Sequence, residues 1–466
     1  MGESRHVLIV VQNLPVPLDR RVWLECLALR SSGYDVSVIC PKGPGDPARE
    51  TLEGVDIYKY APPPEAKSLP TYVFEFVYCW LRTALLTLAV WRRRPFQVLQ
   101  ACNPPDTYWL LARLWRSHRV RFVYDQHDLN PELFLSRFGE PSGLASTAQF
   151  RGLRWLERMT YRTADEVVST NESYRSKALD RGGVAPGHAT VVRSGPDTAR
   201  MRPITPMVDP HSDQRVLVYL GIMGPQDGVD TVLHVLRLLR DGRGRKDVRA
   251  VLLGFGDCLQ DLRAESLHLG LDDIVTFTGR VGPAEIARHL SSADIGLCPD
   301  PKTPLNDVST MNKTMEYMAY CLPSVAFDLF ETKVSAAETA LYVPSGDLEG
   351  YADAIERLLD DHDLRVSMGL AARARVSEHL DWQEQARAYV GVFDRIFGVS
   401  PAGDVAEDRP GANPVAGQGA DYINLDDEQL LDDFVRYRGR ARPQAAPAGP
   451  GRNLDQSGSS GPPKER

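Results

Sequence analysis

Short runs of consecutive apolar residues alternate with amphipathic stretches of helical period through most of the chain. The first run, His6–Val11, is typical of a strand buried in a parallel sheet. Asp19 can cap a helix over 20–30, which Gly33 ends, and a second β-branched run follows at Tyr34–Cys40. This order predicts a βαβ unit at the start of the chain.

The alternation stops at a proline-rich stretch, 203–210, and then begins again. Buried strands are predicted before the break at Gln97–Ala101, Arg121–Asp125, Glu166–Ser169 and Ala189–Arg193, and after it at Arg215–Leu220, Arg249–Leu253, Ile274–Thr278, Ile295–Cys298 and Ser324–Phe327, with a helix at Asn312–Tyr320. Two consecutive halves of similar size indicate an α/β protein of two Rossmann-like lobes. Ligands of such sheets lie beyond the carboxyl ends of the strands, so we expect the functional site in the cleft between the lobes.

One segment, Tyr72–Trp91, is apolar and aromatic over nearly its whole length. Glu75 and Arg82 fall two helical turns apart on one face, and a charge at the centre of a bilayer costs on the order of 3 kcal/mol. These charges disfavour a membrane-spanning helix. Two alternatives stay open. The segment is a core helix of the first lobe, or it is an interfacial helix, with Tyr72–Arg94 making peripheral contact with anionic lipid.

The last part of the chain differs in composition from the rest. From Ser400 onwards Pro, Gly, Ala, Ser and Asp dominate, which predicts a disordered tail over 399–466. One short stretch inside it, Ile423–Tyr437, has the pattern of an amphipathic helix.

Composition and charge narrow the class of partner and the compartment. Of 466 residues, 43% are hydrophobic and 25% are charged, which is usual for a globular protein. The formal net charge of −8 argues against nucleic acid as the main ligand. The 7 cysteines are dispersed, which favours reduced thiols. Because no leader pattern precedes the first strand, we expect a cytoplasmic protein.

Glycine-rich turns follow two of the predicted strands. The loop Gly221–Gly228 lies between a strand and a helix, where Gly221 and Gly224 would let backbone N–H groups approach a phosphate. The turn Gly254–Asp257 repeats this arrangement one strand later. Either turn alone is weak evidence, because strand-to-helix turns often need glycine for geometry. The dinucleotide fingerprint is missing after the first strand, which disfavours a dehydrogenase.

The predicted helix Asn312–Tyr320 carries Lys313 and Glu316 three positions apart, on one face. A lysine there could neutralise a diphosphate, while a carboxylate could accept the hydroxyl protons of a ribose. The alternative is an ordinary surface ion pair.

With these segments together, the chain resembles the retaining glycosyltransferase family four, of the GT-B fold, and within it the branch that acts in bacterial surface-polysaccharide synthesis. The resemblance covers residues 5–398 and is carried by Leu220–Asp230, Val275–Val281, Ala293–Pro299, Lys313–Val325 and Asp381-Trp382. It implies transfer of a sugar from a nucleotide-diphosphate donor to a glycan or lipid-linked acceptor, with no resident cofactor and no metal. It also implies an acceptor-side lobe over 1–202, a donor-side lobe over 203–380, and a closing helix over 381–398 that returns to the first lobe.

The resemblance assigns residues to the donor. Glu316 matches the second of two family glutamates, which implies ribose recognition, whereas the first falls on Val308, next to Asp307. The usual phosphate-loop arginine and lysine fall on Ile222 and Asp227. Replacement cations are therefore expected, Lys313 first, then Arg193 and Arg280. The predicted donor-binding residues are Gly221, Gly224, Arg193, Arg280, Asn312, Lys313 and Glu316.

In the first lobe, the family's active-site histidine matches His127, which implies contact with the donor sugar near the reacting carbon. Catalysis is thus assigned to His127, Lys313 and Glu316. The loops after the strands place Arg20, Arg21, Asn103 and Asp128 on the acceptor side of the cleft. Two other functions stay open: a sugar-nucleotide epimerase of the same fold, and a catalytically degenerate nucleotide-sugar-binding protein.

Overall fold

The computed structural model describes residues 5–63, 69–206, 213–399, 422–425, 427–438 and 440. These residues form two α/β lobes, each built on one sheet that is mainly or entirely parallel, so the fold class expected from the sequence is confirmed.

The first lobe has an eight-stranded sheet in the order β3-β4-β2-β1-β5-β6-β7-β8. Its strands are β1 (His6–Val10), β2 (Asp35–Pro41), β3 (Arg49–Leu52), β4 (Val55–Tyr60), β5 (Val98–Cys102), β6 (Arg121–Gln126), β7 (Glu166–Ser169) and β8 (Ala189–Val191). Its helices are α1 (Arg20–Ser31), α2 (Leu69–Arg93), α3 (Trp109–Trp115), α4 (Asn130–Phe138), α5 (Leu144–Thr163) and α6 (Glu172–Asp180). All neighbours pair in parallel except β3 and β4. Every residue of β1 and β5 is buried, as expected for strands covered on both faces.

The second lobe has a six-stranded parallel sheet in the order β11-β10-β9-β12-β13-β14. Its strands are β9 (Arg215–Ile222), β10 (Val248–Phe255), β11 (Val275–Gly279), β12 (Ile295–Cys298), β13 (Ser324–Phe327) and β14 (Ala340–Val343). Its helices are α7 (Val229–Arg237), α8 (Leu259–His268), α9 (Pro283–Ser292), α10 (Asn312–Ala319), α11 (Phe330–Ala336), α12 (Leu348–Asp360) and α13 (His362–His379). The strand order reverses between β9 and β12, and this reversal opens a crevice beyond their carboxyl ends.

Helix α1 begins where the sequence places it. The side chain of Asp19 accepts a 3.1 Å hydrogen bond from the backbone N–H of Val22, an N-cap interaction worth about 1 kcal/mol. The cap fixes Arg20 and Arg21 in the first turn of α1, at the carboxyl edge of the first sheet.

Helix α14 (Trp382–Phe397) follows the second lobe but packs into the core of the first. Trp382, Tyr389 and Phe393 lie in the same hydrophobic cluster as the strands β1, β2 and β5. The backbone N–H of Trp382 donates a 3.0 Å hydrogen bond to Pro196 O, which fixes the start of this crossing. Burial of each aromatic side chain stabilises the crossing by roughly 1.5–3 kcal/mol.

Helix α2 includes the long apolar segment. Cys79, Thr83, Thr87 and Val90 are buried against the sheet of the first lobe, whereas an apolar stripe on the other side is exposed: Phe74, Val77, Leu81, Leu85 and Leu88. Phe74–Arg93 is long and apolar enough to cross a membrane by length and composition, and 22% of the stretch is buried. The helix therefore lies on the lobe with one face in the core and an apolar face outward.

Part of the C-terminal region packs on the second lobe. Helix α15 (Glu428–Tyr437) buries Phe434 and Val435, together with Ile423, against Cys321. The predicted disorder does not extend to this segment, because its apolar face is covered by α13 and by Cys321, just beyond the end of α10. The rest of the predicted disordered tail, 400–421, 426, 439 and 441–466, lies outside the described residues.

Candidate active site

A cavity of about 280 Å³ lies between the two lobes. It is lined by Arg21, His127, Asp128, Thr170, Tyr174 and Ser194 from the first lobe and by Ser309, Thr310 and Asn312 from the second. The lobes meet beside it through a 2.8 Å hydrogen bond between the hydroxyls of Tyr174 and Ser309. The side chain of Asn171 donates to Val308 O at 2.9 Å. Each lining residue carries a hydroxyl, amide, imidazole or charged group, which suits a polyhydroxylated ligand.

His127 directly follows β6 and lines the cavity. Its backbone N–H donates a 2.7 Å hydrogen bond to Asn103 Oδ1, and its Nε2 lies 2.7 Å from Asp125 Oδ2. Burial would lower the pKa of His127, but the Asp125 carboxylate outweighs burial and raises it to about 9. The imidazole is therefore a cation at neutral pH.

A buried polar network formed by residues of α1, β5 and β6 holds Asp125, the partner of His127. Arg21 donates to Asp125 Oδ1 at 3.1 Å, and its Nε lies 3.0 Å from Glu25 Oε1. Gln100 donates to both Glu25 and Asp125, at 2.9 and 3.1 Å. Burial and the neighbouring Asp125 carboxylate raise the pKa of Glu25, whereas the pKa of Asp125 is held low by Arg21 and His127 against the effect of its burial.

Cys102, Asp125 and His127 have potential metal-ligating atoms within 4.8 Å of one another. The guanidinium of Arg21 already lies 3.1 Å from Asp125 and 3.2 Å from His127. A metal ion would therefore have to displace this charge, and the donor set is a poor one for a resident metal.

Lys313 and Glu316, predicted to share a face of α10, have different partners. Lys313 Nζ lies 2.5 Å from Asp300 Oδ1, 3.9 Å from Asp227 Oδ1 and 5.0 Å from the centre of the Tyr219 ring. Burial acts to lower the pKa of Lys313, but Asp300 and its other neighbours raise it overall. The ammonium is thus charged, buried and neutralised by carboxylates of its own lobe.

Glu316 is paired across the cleft. Its carboxylate accepts a hydrogen bond from Arg20, the first residue of α1. The Arg20 side chain is 52% exposed, whereas that of Glu316 is 8% exposed. Arg20, predicted on the acceptor side, thus contacts the residue predicted to bind the donor ribose.

The phosphate-loop glycines lie close to these groups. A Cβ at Gly221 would lie 3.1 Å from Lys313 Cε, so the backbone at Gly221 approaches the lysine side chain closely. The backbone N–H of Gly224 donates to Asp227 Oδ2 at 3.0 Å. Asp227 thus accepts a hydrogen bond from the backbone of the loop that was predicted to bind the phosphate.

Arg193 and Arg280, the other two cations predicted for the diphosphate, also contact other side chains. Arg193 Nη1 lies 3.6 Å from the buried Glu331, and Arg280 stacks over the Phe255 ring at 5.4 Å. Asp307, beside the apolar Val308, accepts a 2.9 Å hydrogen bond from the backbone N–H of Phe330. It therefore belongs to the start of α11 rather than to the cavity wall.

The remaining residues predicted on the acceptor side lie at the first-lobe wall or directly behind it. Asn103 accepts from the backbone N–H groups of His127 and Asp128, and so orders the loop after β6. Asp128 lines the cavity, and burial raises the pKa of its carboxyl group. Arg21 also lines it, and it donates to Ser194 at 3.0 Å.

Sequence reasoning did not single out several residues of the site. Asp300 lies two residues after β12, at the carboxyl end of a strand beside the switch point, and that position was the available signal. Glu25 and Gln100 lie inside a helix and a strand whose sequence patterns indicate only core positions. Tyr389, whose hydroxyl donates to Gln100, belongs to a helix remote in sequence.

Comparison with known proteins adds the family. A family model described as "Glycosyl transferase 4-like domain" matches residues 18–195, and one described as "Glycosyl transferases group 1" matches residues 214–361. The two ranges take in most of both lobes. The chain is a glycosyltransferase of the family-four type, with the GT-B fold. The resemblance deduced from the sequence is confirmed at this level.

Individual relatives are distant. A glycogen synthase of Mycobacterium tuberculosis is 24% identical over 81% of this chain and 90% of its own length. A GDP-mannose-dependent alpha-(1-6)-phosphatidylinositol monomannoside mannosyltransferase of the same species is 30% identical over 47% of this chain and 60% of its own. The structure of sucrose-phosphate synthase from Thermosynechococcus elongatus aligns with a TM-score of 0.65 at 19% identity, over 85% of this chain and 100% of that one.

Proposed function

We propose that this glycosyltransferase moves a sugar from a nucleotide-diphosphate donor to a glycan or lipid-linked acceptor with retention of the anomeric configuration, in the synthesis of cell-surface polysaccharide or glycoconjugate. The observation that carries the proposal is the polar interlobe cavity, which has the cationic His127 in its wall and Asn312, the first residue of α10, opposite. Glu316, one turn further along α10, is the group we assign to the ribose hydroxyls.

The chemistry follows from the charges. Breaking the bond from the anomeric carbon to the diphosphate develops positive charge on the sugar ring and negative charge on the leaving phosphate. The His127 cation beside the cavity favours the second of these charges, and it is held in place by Asp125 before the donor arrives. In a retaining transfer the acceptor attacks from the face that the phosphate leaves, with no enzymic nucleophile. Asp128, in the same wall, would accept a hydrogen bond from the acceptor hydroxyl.

We place the enzyme in the cytoplasm, peripherally on the inner face of the plasma membrane. The exposed apolar stripe of α2 ends at three exposed arginines, Arg92, Arg93 and Arg94, a combination that favours an anionic bilayer surface. A lipid-linked acceptor fits the relative named for phosphatidylinositol monomannoside, and a nucleotide-sugar donor fits its GDP-mannose dependence.

The test has two stages. A thermal-shift panel of UDP-, GDP- and ADP-sugars identifies the donor, because a bound ligand stabilises the fold by mass action. The stabilising donor, radiolabelled, is then incubated with polyprenyl-phosphate-linked and free-glycan acceptors, and the linkage of the product is read by NMR. Acceptor-dependent product with the donor's anomeric configuration supports the proposal. Conversion of the donor sugar without acceptor indicates an epimerase, and stabilisation without turnover indicates a degenerate binding protein.

A further inference from the structure

The donor diphosphate would not meet the family's usual pair of cations in the second lobe, and Arg280, the other candidate there, stacks over the Phe255 ring. The family's usual arginine and lysine positions carry Ile222 and Asp227. Lys313 lies 2.5 Å from Asp300, and a phosphate would have to compete with that carboxylate for its ammonium. The cation must therefore be sought among side chains that can exchange their partner when the donor binds.

Arg20 meets that requirement. Its side chain is half exposed, lies at the N-terminal end of α1, and pairs with Glu316 across the cleft. Its neighbour Arg21 is only 8% exposed and is held by Asp125, Glu25 and Val192 O, so it is not free to follow a ligand.

The position of Arg20 also fits the path of the ligand. A diphosphate has to join a ribose at Glu316 to a sugar in the cavity at His127. Arg20 touches Glu316, and the next residue, Arg21, lies 3.2 Å from His127 Nε2. A chain of phosphates between the two ends therefore passes the guanidinium of Arg20.

We infer that Arg20 is the cation for the donor diphosphate, held by Glu316 before the donor binds and transferred to the phosphates when the ribose pairs with Glu316. One ligand replaces both halves of an interlobe ion pair: its hydroxyls donate to the carboxylate, and its phosphate oxygens accept from the guanidinium. The exchange leaves neither charge unpaired. This inference rests on the proposed use of a nucleotide-diphosphate donor.

The test compares a nucleoside diphosphate with its nucleoside by calorimetry, using whichever of UDP, GDP and ADP stabilises the wild-type protein. The gain in affinity from the two phosphates should fall roughly tenfold or more in Arg20→Ala, and Arg20→Lys should keep part of it. Glu316→Gln should weaken both ligands by a similar factor and keep the gain. Arg121→Ala removes an exposed arginine that pairs with Asp165 at the amino end of β6, the end away from the cleft, and should not change either affinity.

Different results would contradict the role of Arg20 and the use of a nucleotide-diphosphate donor. If Arg20→Ala binds the diphosphate as tightly as the wild type, or more tightly, Arg20 serves only as the ion-pair partner of Glu316 and the inference is overturned. If the wild-type protein binds none of the three diphosphates, the proposed function itself fails. Unfolding temperatures of the variants, expected to stay near the wild type because Arg20 is half exposed, confirm that each is folded.

Discussion

Tyr389, on the closing helix α14, donates a 2.6 Å hydrogen bond to Oε1 of Gln100, a fully buried residue in the middle of β5. The amide group of Gln100 donates in turn to Asp125, whose carboxylate holds His127. Helix α14 is thus connected to His127 by hydrogen bonds through two buried side chains, those of Gln100 and Asp125.

Tyr389→Phe should lower turnover several-fold and stability by about 1 kcal/mol, because Gln100 loses the bond that fixes the orientation of its amide. The Michaelis constant for the donor should change little. Tyr34→Phe is the matched control, since the Tyr34 hydroxyl also joins the first lobe to α14, at Asp394, but lies outside the Gln100 network. Equal turnover in the two variants would show that Tyr389 only fastens the helix.

Lys313→Met should destabilise the protein by about 3–5 kcal/mol, because it leaves Asp300 buried without its counter-ion. Urea unfolding measures this change. Adding Asp300→Asn should restore most of the stability by removing the orphaned charge.

The double variant then tests the catalytic role predicted for Lys313. If Lys313 stabilises the leaving diphosphate, the double variant should still lose about 2–4 kcal/mol of transition-state stabilisation, although its fold is stable again. The loss should be seen more in turnover than in the Michaelis constant. Recovery of turnover together with stability would contradict that role.

His127 should make stability depend on alkaline pH. Its pKa is raised from 6.5 in the unfolded chain to about 9, so its contribution is complete below 6.5 and is lost as the pH rises through about 9. The melting temperature of the wild type should fall across that window, and turnover should fall with it as the cation is lost. His127→Gln should show a flatter melting profile. Parallel profiles for the two proteins would assign the titration to another group.

The sequence predicts strands well where they are buried on both faces. Ile295–Cys298 and Ser324–Phe327 have the predicted bounds, because such strands are continuous apolar runs. The edge strand Arg49–Leu52 was missed, since its charged and half-exposed residues lack that pattern. In the site, the loop after β6 and the start of α10 could be placed, but the partners of Lys313 and His127 could not. The position of Asp300 after β12 marks it only as a residue of the cleft, not as the partner of Lys313. Gln100 reaches His127 through Asp125, and this link depends on tertiary packing, which leaves no local signal.

The exposed apolar stripe of α2 should bind anionic vesicles. We expect the protein to sediment with phosphatidylglycerol-containing liposomes and to be released by salt, because the arginines that end α2 are exposed and screened at high ionic strength. Leu81→Ser with Leu85→Ser, two exposed positions on the stripe, should reduce binding without a change in melting temperature. A matched control is Leu267→Ser, an exposed leucine on α8 of the other lobe. Equal recovery on neutral and anionic vesicles would contradict the role of the arginines.

The docked C-terminal segment contacts the carboxyl end of α10, the helix to which we assign donor binding. Arg438 is 2% exposed, and its guanidinium donates to Cys321 O at 2.5 Å and to Tyr320 O at 3.4 Å, just beyond the last turn of α10. Burial lowers the pKa of Arg438 to about 10, so it remains charged at neutral pH. A buried cation at the carbonyl end of a helix satisfies groups that would otherwise be unpaired and offsets the helix dipole.

Truncation after Gly398 should therefore lower the melting temperature by several degrees and weaken nucleotide binding, because it removes the cap of the helix that carries Glu316 along with the packing of Phe434 and Val435. Arg438→Met keeps the apolar contacts and should cost about 2–3 kcal/mol of stability by itself. Truncation after Arg440 is the control: it keeps the docked segment, including the pair of Arg440 with Asp294 at 2.7 Å, and should melt like the full chain. If truncation after Gly398 leaves both melting temperature and nucleotide affinity unchanged, the segment is dispensable, and α10 holds its position through the contacts of its own lobe.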